Sequence, residues 1–213
     1  MNVPTSHKLR FAVFLAICVS ACGSGGRTIH WKQEVKLEDG RMLVVERKSK
    51  QTKIILPENT VIEHEKALAF IHPDTGERIQ WILPKGTGAW MLDFDSGYPY
   101  LVLRTSSVAD YNTWECPNPP WLAFRYESGQ WQRIKQEHLP VRFMKPNLLH
   151  GARTDEQATT DGLYTLREME AYLQRIDPPR RVISREKVSP IGHGCHESVL
   201  IRLGRQSEID TRR

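Results

Sequence analysis

The chain has 213 residues, with 30 Lys and Arg against 25 Asp and Glu and a formal net charge of +5. That length supports one well-buried domain and is short for two. The positive excess is too mild for a nucleic-acid partner, and it shrinks if residues 1–21 are removed, because Lys8 and Arg10 leave with them.

The first residues have the three parts of an export signal: a basic start at His7, Lys8 and Arg10, an apolar run from Phe11 to Val19, and small residues at its end. The apolar run covers only about half of the roughly 30 Å hydrocarbon layer, so it reads as a cleaved signal, not a spanning helix. Val19-Ser20-Ala21-Cys22 resembles the lipobox of bacterial lipoproteins, and the resemblance is confined to this leader. It implies cleavage after Ala21 and lipid on Cys22, with membrane lipid as a partner. By the same resemblance Gly23, in place of an inner-membrane retention aspartate, implies the outer membrane, facing the periplasm. Val19-x-Ala21 also satisfies an ordinary secretory cleavage rule, which would leave Cys22 a free thiol.

Residues 22–29 read as the lipidated cysteine and a flexible tether, because Gly23-Ser24-Gly25-Gly26 has nothing to bury. Residues 30–203 read as a single β-rich domain. Its first hairpin places Trp31, Gln33, Val35 and Leu37 on one face, turns at Glu38-Asp39-Gly40-Arg41 and returns through Met42-Leu43-Val44-Val45. The Arg47-to-Lys53 run that follows, with four cations, reads as a charged hairpin end or a contact for membrane phosphates.

Alternation recurs at Ala67–Ile71 and Arg78–Leu83 around a Pro73–Gly76 turn. It continues in Trp90, Leu92 and Phe94, expected on one face, before an Asp95-Ser96-Gly97 turn into Tyr98–Leu103. A further unit runs from Trp121 to Tyr126 and back through Trp131 and Ile134. Short strands and tight turns predict a mainly β fold with one C-terminal helix, an antiparallel meander forming a sandwich or partly open barrel. Irregularly spaced turn glycines argue against a repeat architecture. The helix is predicted at about residues 161–177, from Leu163, Leu166, Met169, Leu173 and Ile176 after a Thr160-Asp161 start. A strand is expected at residues 198–203 and a flexible tail at 204–213.

With Cys18 lost in the signal and Cys22 lipidated, Cys116 and Cys195 are left as a candidate disulfide in an oxidising compartment. Tyr111, Trp114 and Trp121 flank the Cys116-Pro117-Asn118-Pro119-Pro120 loop and form a candidate recognition surface for an envelope protein or a glycan. The alternative is that these rings only cover the end of the sheet.

His193, Cys195, His196 and Glu197 are zinc-compatible donors, but weak as a site because a second ligand pair at set spacing is missing. His64-Glu65 lacks the second histidine of a zinc-protease helix, Leu68 standing at that position, and no nucleophile-elbow serine is present. Asp93 and Asp95 share a strand side and could pair as acid and base, though two acids entering a turn are usually solvated. The expected function is therefore a membrane-anchored envelope lipoprotein acting as a binding or structural/interaction module without a cofactor, and not an enzyme. The alternative is a periplasmic metal-binding protein or hydrolase using the 193–197 cluster.

Overall fold

A computed structural model describes residues 26–54, 60–149 and 162–175, together with Ile183 and Arg185. The leader with Cys22, the 193–197 cluster, the expected strand at 198–203 and the tail lie outside the described residues.

The fold is mainly β, with two sheets packed face to face and not closed into a barrel. Strands β1 (Gly26–Lys36), β2 (Met42–Ile54), β3 (Thr60–Ile71) and β4 (Arg78–Ile82) form the first sheet. Strands β5 (Thr87–Asp95), β6 (Tyr98–Thr105), β7 (Trp121–Glu127) and β8 (Gln130–Ile134) form the second. Within these eight strands every pairing is antiparallel between sequence neighbours, so each sheet is a meander.

The turns are where their residues require them. Ser96 and Gly97 between β5 and β6, and Ser128 and Gly129 between β7 and β8, all have φ between +52° and +81°. Two successive left-handed residues make the turn whose twist matches the flanking strands.

Trp31, Gln33, Val35 and Leu37 are all buried on one face of β1 and beyond, as alternation requires. Val35, Val45, Leu68, Phe70 and Ile79 from the first sheet meet Leu92, Phe94, Leu101, Leu103, Leu122 and Phe124 from the second. The two sheets are also joined by Trp81 of β4 stacked on Trp131 of β8, with centroids 5.1 Å apart and planes at 19°. Both rings are half-buried against the core, so burial explains them only in part. His72 links the turns at the far end: its Nδ1 accepts the Asp74 and Thr75 amides, which leaves Nε2 to donate to Gly97 O at 3.0 Å.

Four sequence expectations need correction. The tether is shorter than expected, because residues 26–29 already belong to β1: Gly26 pairs with Thr52, and Ile29 is buried opposite Ser49. The Arg47-to-Lys53 run lies within β2 and reaches its C-terminal end, but β2 is flanked on both sides by β1 and β3, so the run guards no open sheet edge. Strand geometry splits its charges, sending Arg47 and Ser49 inward and Lys48 and Lys50 outward.

Trp90 does not share a face with Leu92 and Phe94, because a bulge between Ala89 and Met91 reverses the alternation. Trp90 and Met91 therefore join Tyr100, Val102, Trp121 and Ala123 on the second face of the β5–β8 sheet, under Leu139, Phe143 and Ile183.

The C-terminal helix α2 spans Leu166–Arg175 and starts later than Thr160-Asp161. Thr165 and Glu168 form the capping box: Thr165 N donates to Glu168 Oε2 at 2.8 Å, and Glu168 N donates back to Thr165 Oγ1 at 3.4 Å. Leu163, expected inside the helix, instead belongs to a short strand β9 (Leu163–Tyr164) that pairs parallel with β1 at Lys32 and Gln33, an exception to the antiparallel rule. Among the expected apolar stripe, Met169 is buried. A six-residue helix α1 (Val108–Thr113), capped by Ser107, was not anticipated.

The segment after β8 ties the layers together. Asn147 Nδ2 donates to Lys36 O of β1 at 3.1 Å and to Leu92 O of β5 at 2.9 Å, while its Oδ1 accepts Leu92 N at 2.9 Å. The backbone amides of Asn147 and Leu148 both donate to Trp90 O at the bulge, each at 3.0 Å. One side chain thus bridges both sheets and covers the outer edge of β5. Replacing Asn147 with Ala strands three backbone groups and is expected to lower the unfolding free energy by about 3 kcal/mol. Denaturant titration with an unchanged slope would show this; a loss under about 1 kcal/mol would refute it.

Candidate functional site

The recognition surface expected at Tyr111, Trp114 and Trp121 is not assembled. Tyr111 is 2% and Trp121 7% exposed. Trp121 meets Trp90 edge-on at 5.3 Å beneath the Arg104 guanidinium, so its ring belongs to the second hydrophobic layer. Trp114 remains half-buried, with Arg133 5.5 Å from its centroid. The rings close the end of the sheet, which is why their crowding around a proline-rich loop was misleading. Cys116 sits half-buried at this corner, where both Glu115 and Cys116 adopt positive φ. Its sulfur lies 3.6 Å from Asn112 Oδ1. Its expected partner Cys195 lies outside the described residues.

Asp93 and Asp95 are not a catalytic pair. Asp95 is ion-paired to Arg142 at 2.5 Å. Asp93 is buried, and its oxygens are taken by backbone: Oδ2 accepts Glu38 N at 2.9 Å and Oδ1 accepts Phe94 N at 2.7 Å. Burial raises its pKa, and these two hydrogen bonds oppose the shift only in part. It lines a cavity of about 430 Å³ with Lys36, Lys145, Asn147 and Met169, but its hydrogen bonds fasten the β1–β2 turn to β5. That is a structural role.

Arg47 was counted with the exposed cations, yet it is 3% exposed. Nη1 donates to Gln33 Oε1 at 3.3 Å and to Leu149 O at 3.4 Å, and the guanidinium lies 5.4 Å from the Trp31 centroid. Desolvation lowers its pKa to about 10, with Glu63 opposing the shift.

Among the described residues, the outer face of the first sheet presents an open groove. Ala67 and Ala69 form a floor of small side chains in a groove of about 580 Å³. Their cross-strand neighbours form the walls, Lys48 and Ile82 beside Ala67, Glu46 and Gln80 beside Ala69. Two ion pairs border the floor: Lys48 Nζ to Glu65 Oε1 at 3.2 Å and Arg78 Nη2 to Glu46 Oε2 at 2.6 Å. The Arg78 hydrogen bond lowers the Glu46 pKa, and the same bond raises that of Arg78. Ile82 is 62% exposed at the rim, and Met42, Val44 and Ile71 are exposed elsewhere on β2 and β3.

Such a surface offers paired charges, amide and imidazole hydrogen bonds from Gln80 and His30, and apolar contact on one flat sheet face. Sequence reasoning missed it because its signal is two alanines on the outward side of β3, which carry no mark of function. No family model, curated protein or solved structure matches this chain.

The raised Asp93 pKa has a defined consequence. The folded state holds this proton more tightly than the unfolded chain, so between the ordinary carboxylate range and the folded pKa the native protein binds more protons and stability falls as pH rises. Replacing Asp93 with Asn is expected to remove that component. Subtracting the D93N unfolding free energies from wild type across acidic to neutral pH should leave a difference that declines with rising pH; a rising difference would contradict the assignment.

Proposed function

We propose that this chain is a lipid-anchored envelope protein, held at the outer membrane facing the periplasm, whose β-sandwich is a binding module for an envelope protein or glycan. The observation that carries the binding reading is the outer groove of the first sheet, with its alanine floor between two ion pairs. Those pairs are exposed and worth little to stability, so a ligand that exchanges into them loses little of the fold.

The anchor is supported by Val19-Ser20-Ala21-Cys22, which stands just ahead of β1. Acyl chains on Cys22 at about 0.8 kcal/mol per buried CH₂ would hold the protein firmly once more than one chain is attached. In that compartment Cys116 and Cys195 are proposed to pair, closing a long loop worth about 4 kcal/mol on the chain-entropy model.

Two variants test the two halves separately. Cys22→Ser is expected to move the protein from the sedimenting membrane fraction to the soluble periplasmic fraction; retention in the membrane would refute the lipid anchor. Ala69→Trp fills the groove from a position off the shared core. It is expected to leave the melting temperature within a few degrees of wild type while abolishing crosslinks formed from a photoreactive group at Gln80 in intact cells. Crosslinks that survive unchanged would refute the groove as the binding surface.

A further inference from the structure

If Cys22 carries lipid, the geometry of β1 decides which end of the protein meets the membrane. Only residues 23–25 separate Cys22 from Gly26, the first residue of β1. At about 3.5 Å per extended residue, Gly26 lies within about 14 Å of the anchor. That is less than two screening lengths at physiological salt, each about 8 Å. Lys36, at the other end of β1, is about 33 Å further along the strand.

The register then names what shares the near end. Gly26 pairs with Thr52, Arg27 with Gln51 and Thr28 with Lys50, while Lys53 pairs with Val61 and Thr52 with Ile62. Arg27 and Lys50 are exposed, and Ile62 is 40% exposed. Two acids of β3 lie nearby, Glu63 ion-paired to Lys66 at 2.6 Å and Glu65 to Lys48 at 3.2 Å. Arg27, Lys50 and the exposed Ile62 therefore lie at the end of the sheet that the tether keeps near lipid, and the strand register puts Lys53 at the same end.

We infer that this end of the first sheet, carrying Arg27, Lys50, Lys53 and Ile62, is a second membrane contact that seats on anionic lipid headgroups. The inference rests on the proposed acylation of Cys22, which supplies the proximity. Cations close to an anionic surface attract it individually, and an apolar side chain among them can enter the interface. Seated this way, the protein holds the turns at Glu38–Arg41 and Pro73–Gly76 away from the bilayer.

The test uses lipidated protein purified from membranes and reconstituted into vesicles of phosphatidylcholine alone or mixed with phosphatidylglycerol. A water-soluble amine-acetylating reagent is applied, and the labelling rates of Lys50 and Lys53 are compared with that of Lys36, which is exposed at the far end of β1. Labelling of Lys50 and Lys53 is expected to fall at least fivefold on the anionic vesicles, with Lys36 unchanged and high salt restoring the rates. Arg27→Gln is expected to restore labelling in part.

Equal rates at Lys50 and Lys53 on both vesicle types, in protein whose intact mass includes lipid on Cys22, would overturn the seating and leave the anchor standing. An intact mass without lipid would overturn the anchor, and the seating with it.

Discussion

The structure depends on one constraint: the bulge in β5 has to be matched by the segment that carries Asn147. The extra residue at Ala89–Met91 turns Trp90 and Met91 away from the shared core and leaves the Trp90 carbonyl outside the ladder. Unpaired backbone on an outer strand is costly when covered and a template for aggregation when open. Asn147 and Leu148 fill that vacancy with two amide hydrogen bonds, and the Asn147 side chain adds contacts to both Leu92 and Lys36. An asparagine suits the position because its amide donates twice while its carbonyl accepts.

From that constraint follows the division of surfaces. Strands β5–β7 are buried on both faces over most of their length, one face against the first sheet and one under Leu139, Phe143 and Ile183. Arg185 reinforces the cover by donating to the carbonyls of Leu139 and Pro140. The first sheet is different: it has one buried face and one solvated face, the usual arrangement of an antiparallel sheet. Its solvated face carries the alanine-floored groove, which is why recognition is proposed there and not at the proline-rich loop.

Much of the fold was legible because its turns and strands carry local signals. Asp-Gly and Ser-Gly pairs at the turns, and the run Trp31, Gln33, Val35, Leu37, state hairpin and inward face directly. The bulge was not legible, since β5 is buried almost from end to end and its apolar run from Ala89 to Leu92 shows no alternation to mark where one residue is added. Nor was the Asn147 segment, whose bonds join a side chain to distant backbone and leave no periodicity. The basic run was misread by counting charge without strand parity, which buries Arg47 and exposes Lys50. Aromatic density misled in the same way, because Tyr111 and Trp121 face inward while the groove is marked only by Ala67 and Ala69.

A shared core, the Trp81–Trp131 stack and the Asn147 bridge join the two sheets into one cooperative body. Scanning calorimetry of the mature protein tests it most directly. A single transition is expected, with a calorimetric enthalpy equal to its van't Hoff enthalpy. Two resolved transitions, or a calorimetric enthalpy well above the van't Hoff value, would contradict it.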